Sequence, residues 1–585
     1  MTKKFNYFTM VLLLILSACQ GLINDSEEDD DNTQEQVINE ESIEDAIADN
    51  AGNHDEDADY SWDAGSVVDV TLNGSSVSVN SDKVSVSGSI ITINSAGNFR
   101  FSGSLSNGQI IVNTEDKEIV RLILNGVDIK SSSSAPIYVK SAEKVLIYLV
   151  ENTTNKLSDG SSYTYDNAED EEPNSTLFSK ANLTLAGGGS LTIDANFNDG
   201  INTKDGLIIA GGSYSITSAD DGIRGKDYTI VKSGAIHIAA QGDGIKSDND
   251  NDETKGYIEI QNGSFQITAG GDGVSAETDL LISYAEMTLQ TTGSTLTSSA
   301  KGLKTGVHEI IDDGIYSINC TDDAIHSNGT ITINGGNFEL SSNDDGIHSD
   351  YDLVINDGTI NILKSYEGIE SYKGNMAINE GTIRLKSSDD GLNLSAGGDV
   401  MGGPGRGGWG GTSSASGNYF LYINGGRIYM NASGDGLDSN GSVLMTGGTV
   451  LIDGPTNDGN GAIDYNGSFE ITGGTIIAAG SSGMAQAPES SSSQYSVLAR
   501  FSAKSGGTLF HVENSDGEKI LTYKPSKTYE SVAFSTPLLE KGRSYKIFTG
   551  GSDSGSETDG LYSGGTYSGG TLFTSFSISA VLTDI

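Results

Sequence analysis

The chain has 585 residues, with 80 acidic side chains against 33 basic ones and a net charge of −47. Such a chain repels a phosphate backbone, which excludes a nucleic-acid groove and favours solubility and cation binding. With 77 glycines and 7% aromatic residues, stability has to come from aliphatic ladders rather than from bulky cores.

The first residues, Met1-Thr2-Lys3-Lys4, lead through the apolar run Val11-Leu12-Leu13-Leu14-Ile15 to Leu16-Ser17-Ala18-Cys19. A charged start, a short apolar stretch and a small-residue processing site read as a signal peptide over 1–18, too short for a retained membrane span. Leu-Ser-Ala-Cys is also the bacterial lipobox pattern. Cys19 is therefore expected to carry lipid and to anchor the chain to the bacterial outer membrane or cell surface; the other reading is an ordinary signal with an incidental cysteine. Residues 19–62 are dense in acid, as in Glu27-Glu28-Asp29-Asp30-Asp31, and poor in aliphatic runs, which predicts a disordered tether.

Strands are predicted from about Val67, and residues 163–176 read as an acidic loop around Glu169-Asp170-Glu171-Glu172-Pro173. A repeating phrase then takes over. Asp220-Asp221-Gly222-Ile223 returns as Gly242-Asp243-Gly244-Ile245, Asp344-Asp345-Gly346-Ile347 and Asp389-Asp390-Gly391-Leu392. Gly200, Gly222 and Gly244 are 22 residues apart, as are Gly302, Ala324, Gly346 and Gly368. Three short β-prone runs per period, broken by Gly, Asn or Asp, predict the coil of an all-β parallel β-helix, stacked because no coil can bury its apolar face alone. The solenoid is expected over 63–487 and a β-rich module over 488–585. Insertions fall at Asp248–Glu253, Thr291–Ser298 and about Ala396–Gly417, the last holding Trp409, which either stacks on a sugar ring or is a mobile loop tip. The only cysteine besides Cys19 is Cys320, expected as a small buried apolar residue.

Equivalent residues of stacked coils lie about 4.8 Å apart. The residue before each glycine thus forms a column: Asp199, Asp221, Asp243, Asp272, Lys301, Asp323, Asp345, Glu367 and Asp390. Neighbouring carboxylates at that spacing repel by about 3 kcal/mol at a surface-like dielectric. Calcium, a hard cation taking several oxygens, is the expected neutraliser, with Asp220, Asp221, Asp243, Asp322, Asp323, Asp344, Asp345, Glu367, Asp389 and Asp390 as candidate ligands. Turn chemistry alone also accounts for Asp-Gly. Lys301 is either an internal counter-ion or a base beside a calcium-bound uronate. Two residues after each glycine runs a second column, with Arg224, Lys246, Lys304, His326 and His348; facing outward, it is a candidate surface for acidic sugars, and otherwise an ordinary solvated row.

The run Leu177-Phe178-Ser179-Lys180-Ala181-Asn182-Leu183-Thr184-Leu185-Ala186-Gly187-Gly188-Gly189, with the Asp-Gly-Ile coils and Ser95-Ala96-Gly97-Asn98-Phe99-Arg100-Phe101, resembles the bacterial secreted carbohydrate-binding domain family with a right-handed, pectate-lyase-like parallel β-helix. The resemblance covers about 65–485. It implies calcium sites and binding of cellulose or acidic polysaccharide without established cleavage; Lys301 and Ala324 depart from its phrase. The expectation is a surface-anchored, monomeric, calcium-binding protein that holds polysaccharide. Its rivals are a calcium-dependent polysaccharide lyase with Lys301 as base and a structural adhesin or matrix protein.

Overall fold

The computed structural model describes residues 38, 41–165, 167, 171–293, 300–395 and 419–585. Cys19 and Trp409 lie outside the described residues.

Three strands make each turn of the chain, for example Gly206–Ile209, Ser213–Ser218 and Ile223–Gly225. Each pairs in parallel with its equivalent in the next turn. Ile201 stands opposite Ile223 and Ile223 opposite Ile245, while Tyr214 faces Ile236 and Ile236 faces Phe265. The molecule is therefore all-β, with long parallel sheets wound as a β-helix-like solenoid. Inward positions of all three columns merge into one aliphatic core running from Val70 to Ala533. Cys320 is buried there with a free thiol, as expected.

The repeating phrase is dictated by how closely the turns stack. A Cβ on Gly222 would sit 2.6 Å from the Gly244 carbonyl oxygen and 2.6 Å from Ile238 Cγ2, inside contact distance of both. The preceding aspartate spans the gap between turns. Asp221 Oδ1 accepts the Asp243 amide at 2.8 Å, Asp243 Oδ1 the Asp272 amide at 2.7 Å, and Asp323 Oδ1 the Asp345 amide at 2.9 Å. A second ladder follows at a turn, where Asn356, Asn379 and Asn424 each donate to the asparagine one coil earlier at 2.7–2.8 Å.

Both ends of the stack are closed by reversed strands. Val77–Val79 folds back antiparallel on Val67–Gly74. At the other end, Tyr529–Ser535 pairs antiparallel with Thr475–Gly480 and Ser496–Lys504. Around Phe510, Tyr523, Tyr545 and Phe534 a separate core forms under an antiparallel sheet. Reversed pairing covers strand edges that could otherwise recruit another chain.

The expectation of a disordered tether through residue 62 is corrected over residues 41–62, which lie along the outer wall. Ile43–Asp49 is a helix capped by Ser42, and its buried Ala46 packs on Leu281 and Ile310. The chain then runs back toward earlier coils. The Ala51 amide donates to the Thr254 carbonyl at 2.7 Å, and Tyr257 donates to the Ala51 carbonyl at 3.0 Å. His54 joins Tyr228 and Thr184 at 2.6 and 2.9 Å. The buried Asp59 pairs with Lys144 at 2.7 Å, and Trp62 meets Tyr148 edge-on. These anchors are isolated residues in an acidic stretch, so no window of sequence shows an apolar face; each fits a separate site that only the folded wall presents.

Candidate functional site

Short strands, those of the Asp-Gly phrase among them, form a 16-stranded sheet, parallel except for its first pair, whose outward row includes the predicted second column. Arg224 stands opposite Lys246, Lys304 opposite His326, His326 opposite His348, and His348 opposite Glu370. The acidic column lies beside it, and the two interlock. Asp243, Asp323 and Asp345 each give one oxygen to the next amide and turn the other to the side chain three residues on. Lys246 meets Asp243 at 2.7 Å, His326 meets Asp323 at 2.8 Å and His348 meets Asp345 at 3.0 Å. Lys304 meets Asp272 at 3.0 Å, and Arg224 is paired with Asp248. Instead of standing as open cations ready for acidic sugars, Arg224, Lys246 and Lys304 are therefore spent within the protein.

Lys301 lies between Asp323 at 2.5 Å and Asp322 at 3.3 Å. Burial works against its charge, yet Asp323 and Asp322 outweigh it and hold the ammonium above its ordinary value. A lysine held charged in this way is a counter-ion, and it is not poised to take a proton. Burial raises Asp323, but His326 and Lys301 prevail and keep it ionised.

The largest departure from this self-neutralised pattern is a cleft bordered by Asp344, Asp345, His348, Glu367, Tyr366 and Tyr372. His348 Nδ1 bridges Asp345 and Glu370, at 3.0 and 2.8 Å, and Nε2 faces Asp350 at 3.3 Å. Burial opposes protonation of this imidazole, but Asp345, Asp350 and Glu370 overcome it and push its pKa well up. Burial also raises Asp345 and Glu367 strongly, and lifts Asp344 to about 6. Carboxyl groups in both protonation states, an imidazolium and two tyrosines thus border one opening. Such a set can donate to and accept from hydroxyl groups at close spacing.

Candidate metal ligands converge in three groups among the described residues: Asp322 with Asp323 and Asp344, Asp345 with His348 and Glu370, and Asp390 with Asp435 and Asp438. Asp220, Asp221, Asp243, Glu367 and Asp389 stand outside them. The first group already holds the Lys301 ammonium and the second the His348 imidazolium, a poor donor set for calcium. The third offers oxygen only. Burial lifts Asp390 to about 9, with Asp438 and Asp435 adding to it, and Asp435 to about 7. In the register position next to Asp438 stands Asn393, whose Oδ1 is buried without a partner. Three crowded carboxyls beside an unanswered carbonyl oxygen fit a hard divalent cation. Asp435, Asp438 and Asn393 escaped the sequence reading because a large insertion separates Asp390 from the next coil; the Gly434-Asp435-Gly436-Leu437 phrase was the signal available.

Residues 87–346 match the family model of carbohydrate-binding domain-containing proteins. A carbohydrate-binding domain-containing protein of Acetivibrio thermocellus is 41% identical over 137 residues, 23% of this chain and 48% of that protein. The chain thus spans about half the length of the curated relative it matches. A solved polysaccharide lyase-like protein from C. thermocellum, a gadolinium derivative, shares 34% identity over 40% of this chain and 95% of its own, with a TM-score of 0.39. In sequence, then, 87–346 resembles the carbohydrate-binding domain family.

Proposed function

We propose that the protein binds polysaccharide on the outward face of the 16-stranded sheet, centred on the His348 cleft. The observation that carries this is the cleft itself, where Tyr366 and Tyr372 flank carboxyls and an imidazolium on a face whose cations Arg224, Lys246 and Lys304 are paired off. Tyrosine faces suit the apolar side of a pyranose, and carboxylates suit its hydroxyls. The family match over 87–346 supports the same reading. Because Arg224, Lys246 and Lys304 are already paired, a neutral chain such as cellulose fits better than a polyuronate held by lysines; a polyuronate would need calcium as a bridge. Calcium is placed at Asp390, Asp435, Asp438 and Asn393, where it would offset their mutual repulsion and brace the coils beyond the cleft. The protein acts as a right-handed β-helix of about 22 residues per coil, a monomer anchored to the cell surface through lipid on Cys19.

The test is retention of the full chain on insoluble cellulose and on immobilised polygalacturonate, with calcium and with chelator. Wild type should be retained and His348→Ala released about tenfold more readily, because Asp345, Asp350 and Glu370 would lose the counter-ion that holds the carboxyls of the cleft in place. Equal retention of the two would remove the cleft from the function.

A further inference from the structure

We propose a second saccharide subsite, near the N-terminal end of the same sheet, with Tyr138 as its platform; it rests on the carbohydrate reading above. From Asn202 onward the outward row of this sheet is polar or charged. Before it the row is Thr92, Ile111, Tyr138 and Phe178 in register. The Tyr138 and Phe178 rings lie 5.8 Å apart. Ile90, 44% exposed, and the half-buried Ile111 extend this apolar floor. The protein thus keeps a half-buried tyrosine and partly exposed aliphatic side chains, backed by the fully buried Phe178, on an otherwise polar face.

That patch is the floor of a cleft with built walls. On one side Gln109 donates to Ser134 Oγ at 3.0 Å and to the Ala135 carbonyl at 2.7 Å, which orients its amide and leaves the side-chain oxygen as an acceptor. On the other, Tyr165 donates to the Pro173 carbonyl at 3.0 Å. Glu172 bridges Lys180 at 2.7 Å and Lys204 at 2.8 Å, so two successive coils pin this wall. The exposed Lys140 stands at the rim.

A flat apolar platform beside a fixed amide and rim charges matches a pyranose ring, which offers a C–H face and a belt of hydroxyls. The rim charges disfavour an apolar peptide or an acyl chain. The cleft also falls wholly within 87–346, the stretch matching the carbohydrate-binding family, whereas His348, Glu367, Glu370 and Tyr372 fall beyond it. Eight register steps along one row separate Tyr138 from His348, about 40 Å at the spacing between strands. An extended glycan can therefore lie along the sheet and occupy both clefts.

The experiment measures retention of full-length Tyr138→Ala, Gln109→Ala and His348→Ala on cellulose and on polygalacturonate, with melting temperatures recorded. Tyr138→Ala should weaken retention about tenfold on whichever glycan wild type holds, and the two matrices tell a neutral from an acidic chain. Gln109→Ala, a smaller change at the wall, should weaken it about threefold and keeps the test readable should Tyr138→Ala not fold. Retention of both variants at the wild-type level, on a glycan that wild type holds, would overturn the subsite alone. Wild type bound to neither matrix would overturn the carbohydrate reading and the subsite with it.

Discussion

Two outward faces of the same solenoid obey opposite rules. On one wall the outward row is mostly apolar, interrupted by Glu259, with Ile208, Ile230, Leu281 and Ile310 nearly fully buried, and residues 41–62 pack along that wall. On the 16-stranded sheet the outward row from Arg224 to Glu370 is charged except at Ser275, pairs with charges of its own face and has no such cover. Both rows come from the same period, so coil geometry does not decide which face works. The side chains do: an apolar row is stable only when covered, while a row that neutralises itself can stay open to water and ligand.

The largest effect should come from uncovering the first wall. Deleting residues 41–60 would expose several aliphatic side chains, each worth roughly 1.5–3 kcal/mol when fully uncovered. A clear fall in the urea midpoint and new binding of a hydrophobic dye are expected; an unchanged midpoint would mean that the wall does not need its cover. Next comes the charged face. Asp323→Ala would strand Lys301 and His326 and leave the Asp345 amide without its acceptor, at a cost of about 3–5 kcal/mol. Chemical denaturation of this variant against Asp220→Ala, an exposed acid of the same repeating phrase four coils away, would show whether the interlock or mere acidity matters.

A smaller effect, of opposite sign, is expected from Glu309. It points inward between Leu280 and Ile331 and is fully buried with neither oxygen bonded. Burial raises its pKa well above the ordinary value. Its contribution to stability is therefore complete below the unfolded value, about 4.3, and is lost as pH rises through the folded one. Glu309→Leu should stabilise the protein by about 1–3 kcal/mol near neutral pH and flatten this part of the stability–pH curve; thermal melts from pH 4 to 8 would decide it. The smallest change in the metal-free protein is expected for Asp438→Ala, within about 0.5 kcal/mol. Millimolar calcium is expected to raise the melting temperature of wild type, and the same substitution should abolish that rise. A variant still stabilised by calcium would place the ion elsewhere.

Much of the fold was legible because it is periodic. Asp221, Asp243 and Asp345 announce the stacking through spacing alone, and three places after the glycine position of each phrase Ser247, Ser327, Ser349 and Ser371 form a fully buried row. The second column was also legible as a column, but its chemistry was not. Lys246 and Lys304 read as free cations, and nothing in a linear pattern states that Asp243 has an oxygen to spare for Lys246 three places on, or Asp272 one for Lys304 a coil away. The Tyr138 cleft left no periodic trace, since its walls come from Gln109, Tyr165, Glu172 and Lys180, in coils of irregular length.

The sequence by itself determined the coil, the glycine at each close approach and the inward aliphatic ladder, because these follow from a spacing that repeats. Only the tertiary structure decided which carboxylates are answered by lysine, histidine or a backbone amide, and that residues 41–62 lie on the wall. Those outcomes depend on groups brought together from distant parts of the chain, and a contact of that kind has no period to read.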